Sequence, residues 1–162
     1  MRGAAMILFL RNIFFVIILP GSVTVTILYY FILRRHIVIE CFGLAQVGGL
    51  IAMTSGSYIL FRCVWDFATK GRGTLAPVDA PRTLVVEGLY RYVRNPMYAG
   101  VMTMLLGESL FFESMPLLRY VIGCFVAFHL FVILYEEPTL RRTFGESYIR
   151  YCSSVHRWLP RL

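Results

Sequence analysis

Apolar residues in this chain come in long unbroken runs. Neither Asn12–Leu33 nor Cys41–Phe61 contains a charged residue. A membrane span needs about 20 mostly apolar residues, so each run predicts a transmembrane helix, the first kinked near Pro20–Gly21. Met97–Ser114 is apolar except for Glu108 and Glu113, and Leu117–Tyr135 except for Arg119. These predict a third and a fourth span, paired as a helical hairpin with Met115–Pro116 as its tight turn. The opening segment MRGAAMILFLRNIFFVIILPGS has the outline of a signal peptide. Its apolar run continues past Pro20, and no small-x-small cleavage site precedes a polar start, so a retained span is expected.

Finer patterns add detail. In the second span Ala45, Gly49, Ala52 and Gly56 fall on one helical face, and the third carries Ala99, Thr103 and Gly107. Small residues let helices approach closely in lipid. The connection from Lys70 to Asn95 is longer than an ordinary loop. It carries Leu75, Leu84, Val85, Val86, Leu89, Tyr90 and Tyr92, which predicts an ordered loop folded onto the membrane face. From Pro138 to about Tyr151, Leu140, Phe144, Tyr148 and Tyr151 share one face of a predicted amphipathic, interfacial helix. Trp158 suits the headgroup level.

Composition agrees with lipid as the solvent. Of the 162 residues, 58% are hydrophobic and 15% charged, against roughly 25% charged in ordinary soluble chains. The net charge of +7 would suggest nucleic acid in a soluble protein. Here the basic residues lie between and after the apolar runs, where topology and anionic headgroups account for them. Arg2, Arg11, the five basic residues of 67–96 and the five of the tail fall on one side of the predicted membrane; Arg34, Arg35 and Arg119 fall on the other. Both termini and the 67–96 segment are therefore expected in the cytosol. Cys41, Cys63, Cys124 and Cys152 form no CxxC pair and no metal-spaced cluster, so no metal site is expected. The expectation is an all-α membrane protein: about four transmembrane helices, an ordered cytosolic loop and a C-terminal amphipathic helix. It is one domain over 1–162, with 1–66 a two-helix region and 67–162 the core that carries the chemistry.

Three features converge on the predicted cytosolic surface. Asn95 and Pro96 read as the N-cap and first residue of the third span, so free backbone N–H groups and a positive dipole end stand beside Arg91 and Arg94, an anion site. Glu136-Glu137-Pro138 marks the end of the fourth span, where Pro138 predicts a bend and two carboxylates offer a cation site. Tyr90, Tyr92, Tyr98 and Phe144 supply aromatic faces for a cation. An anion site beside a cation site suits a zwitterionic amino acid. The plainer alternative is that the arginines anchor headgroups and the glutamates pair with basic neighbours.

The stretches Leu84-Val85-Val86-Glu87-Gly88-Leu89-Tyr90, Arg94-Asn95-Pro96-Met97-Tyr98-Ala99-Gly100, Glu136-Glu137-Pro138-Thr139-Leu140 and Phe144-Gly145-Glu146-Ser147-Tyr148 with Tyr151 occur in this order. Over Gly73 to Pro160 the chain resembles the isoprenylcysteine carboxyl methyltransferase and phospholipid methyltransferase group of membrane enzymes. The resemblance implies methyl transfer from S-adenosylmethionine to a membrane-embedded lipophilic acceptor: an isoprenylcysteine-like carboxylate, a phospholipid amine or another small lipid. It implies a cofactor site made by Arg82, Thr83, Leu84 and Val85, by Tyr90, by Asn95, Pro96, Met97 and Tyr98, and by Glu136 with Glu137. Arg94 and Glu136 are the expected catalytic residues, with membrane lipids rather than nucleic acid as partners. The chain departs from the pattern at Asn95, where the familiar motif has His. Only His titrates near neutrality, which argues against a general base there. It departs again at Val132, where the prenylcysteine enzymes carry a substrate-contacting arginine. Competing readings are a membrane lipid reductase using NADPH, a non-enzymatic lipid-binding protein of the same fold, and a small transporter using Glu108 and His129.

Overall fold

The computed structural model describes residues 42–70 and 84–160. The predicted span Asn12–Leu33, and Arg82 and Thr83 of the expected cofactor stretch, lie outside the described residues. Helix α1 spans Leu44–Lys70, beginning and ending later than the run Cys41–Phe61 suggests. An extended stretch follows at 84–86, then a single 3₁₀ turn at Gly88–Arg91. Helix α2 is Pro96–Phe111, α3 is Met115–Phe131, α4 is Glu137–Phe144 and α5 is Glu146–Ser154. Among the described residues the only strand-like pairing is a parallel bridge between Val93 and His156.

Glycine sets how closely α1 and α2 meet. A Cβ on Gly49 would stand 2.7 Å from the carbonyl oxygen of Gly107, and one on Gly56 would stand 2.6 Å from that of Gly100. Gly49 faces Gly107 and Gly56 faces Gly100, so the helices run antiparallel and touch backbone to backbone two turns apart. The predicted stripe on α1 is used. On α2 the contacts are Gly107, as expected, and Gly100, which lies beside the expected Ala99. Val101, Met102 and Leu105 of α2 pack with Val121 of α3 in a small core flanked by Leu60, Cys124 and Phe128.

The hairpin turn differs from the prediction. It is made by Phe112, Glu113 and Ser114, with Glu113 at φ 45°. Met115 and Pro116 belong to the first turn of α3, where Ser114 Oγ accepts the Leu117 N–H at 3.4 Å. Proline is tolerated there because its missing N–H would have had no helical partner. Helix α2 has 16 residues, about 24 Å of helix, shorter than the expected third span. Among the described residues two segments are long and apolar enough to cross a bilayer, Leu44–Asp66 and Met115–Phe144. Only 22% of the first and 17% of the second is buried, where the core helix of a soluble protein would be mostly covered. Leu44, Ile51 and Phe61 on α1, and Ile122, Val126 and Leu130 on α3, are exposed, an apolar surface of the kind that faces lipid.

The helical run continues through Pro138. One π-helical turn, Val132–Glu136, joins α3 to α4, and the Glu137 N–H reaches back five residues to the Val132 carbonyl. The wide turn takes up a proline that cannot donate to the ladder. The tail helix is two helices, because Gly145 between them takes φ +52°, a conformation that breaks an α-helix and favours glycine. Its apolar face is occupied within the protein: Tyr148, Tyr151 and Val155 pack with Leu84, Leu140, Phe144 and Cys152.

If the α1–α2 contact is made through bare backbone, Gly49→Ala and Gly107→Ala each lose about 1–3 kcal/mol of stability to overpacking. Gly48→Ala and Gly123→Ala, where a Cβ meets nothing within 4 Å, keep or slightly raise it through better helix propensity. Thermal unfolding in detergent separates the two pairs; equal midpoints in all four variants would refute the close approach.

Candidate functional site

Glu136 and Glu137 are neighbours in sequence but face different partners, since successive residues on a helix lie about 100° apart. Glu137 is buried. Its Oε1 accepts from Arg94 at 3.0 Å and from Arg157 Nε at 2.8 Å, while Oε2 accepts a second Arg157 nitrogen at 3.0 Å. The fork of Arg157 thus meets both carboxylate oxygens, the strong planar geometry of an arginine–carboxylate pair. These hydrogen bonds hold the Arg157 pKa above the usual guanidinium value. Arg94 also points a nitrogen at Cys152 Sγ, 2.9 Å away, while its Nε is buried and has no partner among the described residues.

Glu136 is half-buried and accepts the Tyr98 hydroxyl at 3.1 Å. Among the described residues no cation pairs with it. Tyr98 lies 5.1 Å from Phe128 and 6.5 Å from Trp158, ring centre to ring centre. Trp158 also packs on Phe125 at 5.4 Å and donates its indole N–H to His129 Nδ1 at 3.0 Å. Burial pushes the Tyr90 hydroxyl well above its ordinary pKa, with Cys63 and Glu136 adding to the shift. Tyr90 is therefore a neutral hydroxyl close to the Glu136 carboxylate at physiological pH.

The chain end holds these parts in register. Arg94 N–H donates to the His156 carbonyl at 2.9 Å, and Asn95 Nδ2 donates to the Arg157 carbonyl at 3.4 Å. Tyr151 donates its hydroxyl to the Tyr90 carbonyl at 2.6 Å. Pro96 is the first residue of α2 as expected, but the Asn95 side chain does not cap the helix; it is turned to the tail instead.

The expected residues therefore separate into groups. Tyr90, Tyr98 and Glu136 come together. Arg94 and Glu137 form an ion pair with Arg157. Asn95 and Pro96 are buried at the start of α2, Met97 is half-buried, and Leu84 and Val85 precede the 3₁₀ turn. Val132 is buried, with 1% of its surface exposed, so this position offers neither a charge nor access. Arg157, Cys152, Trp158 and Tyr151 complete the arrangement without having been singled out as site residues. The tail after α5 follows no helical or strand period that would have marked its residues.

A family model for phospholipid methyltransferases matches residues 44–147. The chain belongs to the phospholipid methyltransferase family. No curated protein and no solved structure matches it. The family implies methyl transfer to lipids, and the matched span contains Arg94, Tyr98, Glu136 and Glu137 but ends before Arg157 and Trp158. In this family member the last turns of the chain bind back onto the matched region.

Removing the charge of Glu137 strands two arginines. Breaking a buried pair by deleting one partner costs about 3–5 kcal/mol. Glu137→Gln is expected to lose about 3 kcal/mol, and Arg157→Gln less, because Arg94 still neutralises the carboxylate. Unfolding midpoints of the two variants give the comparison; a Glu137→Gln protein as stable as wild type would show that the pairing does not hold the site together.

Proposed function

We propose that this protein transfers a methyl group from S-adenosylmethionine to the amine of a membrane phospholipid. The observation that carries the reading is the unequal treatment of the two glutamates. Glu137 is neutralised twice, whereas Glu136 lies beside aromatic rings and, among the described residues, has a neutral hydroxyl rather than a cation as its partner. A half-buried carboxylate of this kind favours a cationic ligand, and aromatic faces add attraction for it. A sulfonium meets both demands. The unpartnered Arg94 Nε is a donor suited to the carboxylate of an amino-acid ligand. The residues present therefore fit the donor.

S-adenosylmethionine, when bound, supplies an electrophilic methyl group. The protein's own contribution is positioning and exclusion of water. Glu136 would hold the positive end, and Tyr98 would fix the Glu136 rotamer. The paired Arg94 would present its remaining donor from a fixed direction, and Trp158 and Phe128 would wall the site. Leu84 and Val85, with Asn95 to Met97, would line the approach; the resemblance assigns Arg82 and Thr83 to the same cofactor site. Val132 in place of an arginine weighs against a prenylcysteine carboxylate as acceptor, and the family weighs toward a phospholipid. The expected topology is multi-pass, with this site on the cytosolic side and the tail helices at the membrane surface.

Titration calorimetry on the detergent-purified chain tests the reading. Wild type should bind both S-adenosylmethionine and S-adenosylhomocysteine. Glu136→Gln should lose at least about 100-fold in affinity for the cationic donor, on the order of 3 kcal/mol, and less for the neutral sulfide. Failure of folded wild type to bind either compound, in detergent and in lipid nanodiscs, would overturn it and favour a nicotinamide-dependent or non-enzymatic role.

A further inference from the structure

A second polar feature lies on the other side of the 3₁₀ turn. A cleft of about 310 Å³ is lined by Tyr58, Arg62, Gly88, Leu89, Arg91 and Tyr92. Its two arginines come from different elements, Arg62 from the last turns of α1 and Arg91 from the end of the 3₁₀ turn. Both are exposed, and neither has an ion-pair partner among the described residues. Tyr58 and Tyr92 are 63% and 59% exposed, so the cleft is open and flanked by two aromatic side chains. Gly88 forms part of its floor at φ +62°, where an added Cβ would strike the buried Asp66 carboxylate. That acid lies behind the floor, and Glu87, the nearest acid in sequence, is not part of the lining.

The depth of the cleft narrows the ligand. The apolar segment of α1 ends at Asp66, and Phe61 and Trp65 stack on its exposed surface at 6.4 Å. Exposed aromatics at the end of an apolar helix mark the headgroup level of a bilayer, and an arginine in the same turn can reach toward that level along its stem. Two guanidiniums lining one cleft suit a phosphate, whose oxygens take paired N–H donors. The volume is at the small end of ligand sites, roughly 300–1,000 Å³. It holds a headgroup and leaves acyl chains to the apolar face of α1.

We propose that the Arg62–Arg91 cleft holds the phosphate of a membrane lipid headgroup, at a site separate from Glu136. The proposal does not rest on the identity of the methyl donor. The test uses the full chain in detergent and a short-chain soluble probe, dihexanoyl phosphatidylglycerol, followed by calorimetry. Dihexanoylglycerol, which lacks the phosphate, and inorganic phosphate serve as comparison ligands. Wild type should bind the phospholipid at least ten-fold more tightly than the diglyceride and more weakly as salt is raised. R62Q/R91Q should lose that preference while keeping the wild-type melting profile. Competition by millimolar inorganic phosphate would support the site but make free phosphate its ligand; no competition would support the lipid. Equal affinity for phospholipid and diglyceride in wild type would overturn the proposal whether or not the variant folds. An unaltered preference in folded R62Q/R91Q would overturn it too. S-adenosylhomocysteine binding measured on the same samples keeps failure here distinct from failure at Glu136.

Discussion

A carboxylate buried at the end of an apolar helix is tolerable only if its charge is matched, and Glu137 is matched from two directions. Arg94 approaches from the segment that leads into α2, and Arg157 from the chain end. Glu137 itself sits where α3 gives way to α4. One side chain therefore ties three segments that are far apart in sequence, at 3.0 Å or less. Desolvating three charges is costly, and the attraction between them need not exceed that cost. What the arrangement secures is uniqueness: with Glu137 fixed, the Arg94 guanidinium is held in one orientation, and the tail has one path back along α3. The backbone bond from Arg94 to His156 and the indole bond from Trp158 to His129 follow that path.

The close contact of α1 and α2 answers a different need. Between helices in lipid no hydrophobic gain drives association, because the lipid is as apolar as the helix surface. Contact must come from packing, and glycine brings two backbones within reach of dispersion forces along their length. At the far end of this pair, Gln46 donates to Glu113 at 2.9 Å and accepts the Gly43 N–H at 2.9 Å. The short α2 is thus held at both ends, by Gln46 with the hairpin turn at one and by the arginine–glutamate cluster at the other. Glu108, buried one turn inside α2, keeps one oxygen without a partner among the described residues. Arg119, at the start of α3, is exposed.

Much of this could be read from residues alone where a local rule decides. Pro96 starts a helix because its missing N–H costs nothing there, and the small-residue stripe of α1 faces a glycine partner because no larger residue fits. Four places resisted. Pro138 reads as a bend, and the rule for the residue before proline says nothing of the π turn that carries the helix through it. Asn95 reads as a cap, but the tail offers its side chain an alternative acceptor that no local pattern reveals. His129 carries no local sign of its partner, because Trp158 arrives from an irregular segment. Arg62 and Asp66, spaced as a helical pair, diverge: the arginine lines the outer cleft and the acid is buried beneath Gly88. In all but the first a long-range contact, invisible to periodicity, overrides the local preference.

The 3₁₀ turn explains why the two arginines before α2 have different fates from what their spacing suggests. Three residues per turn send successive side chains about 120° apart, so Tyr90 and Arg91 cannot face the same way. Tyr90 turns toward Glu136, and Arg91 turns out to the cleft with Arg62. Were Arg91 on the inner side, it would meet Glu136 as Arg94 and Arg157 meet Glu137, and the cluster would hold two neutralised carboxylates. Its outward direction leaves Glu136 with a hydroxyl partner. Gly88 is what permits the turn, since its positive φ and its contact with Asp66 leave no room for a side chain. A backbone choice two residues from Tyr90 thus keeps Arg91 away from the one carboxylate in the cluster that, among the described residues, pairs with no cation.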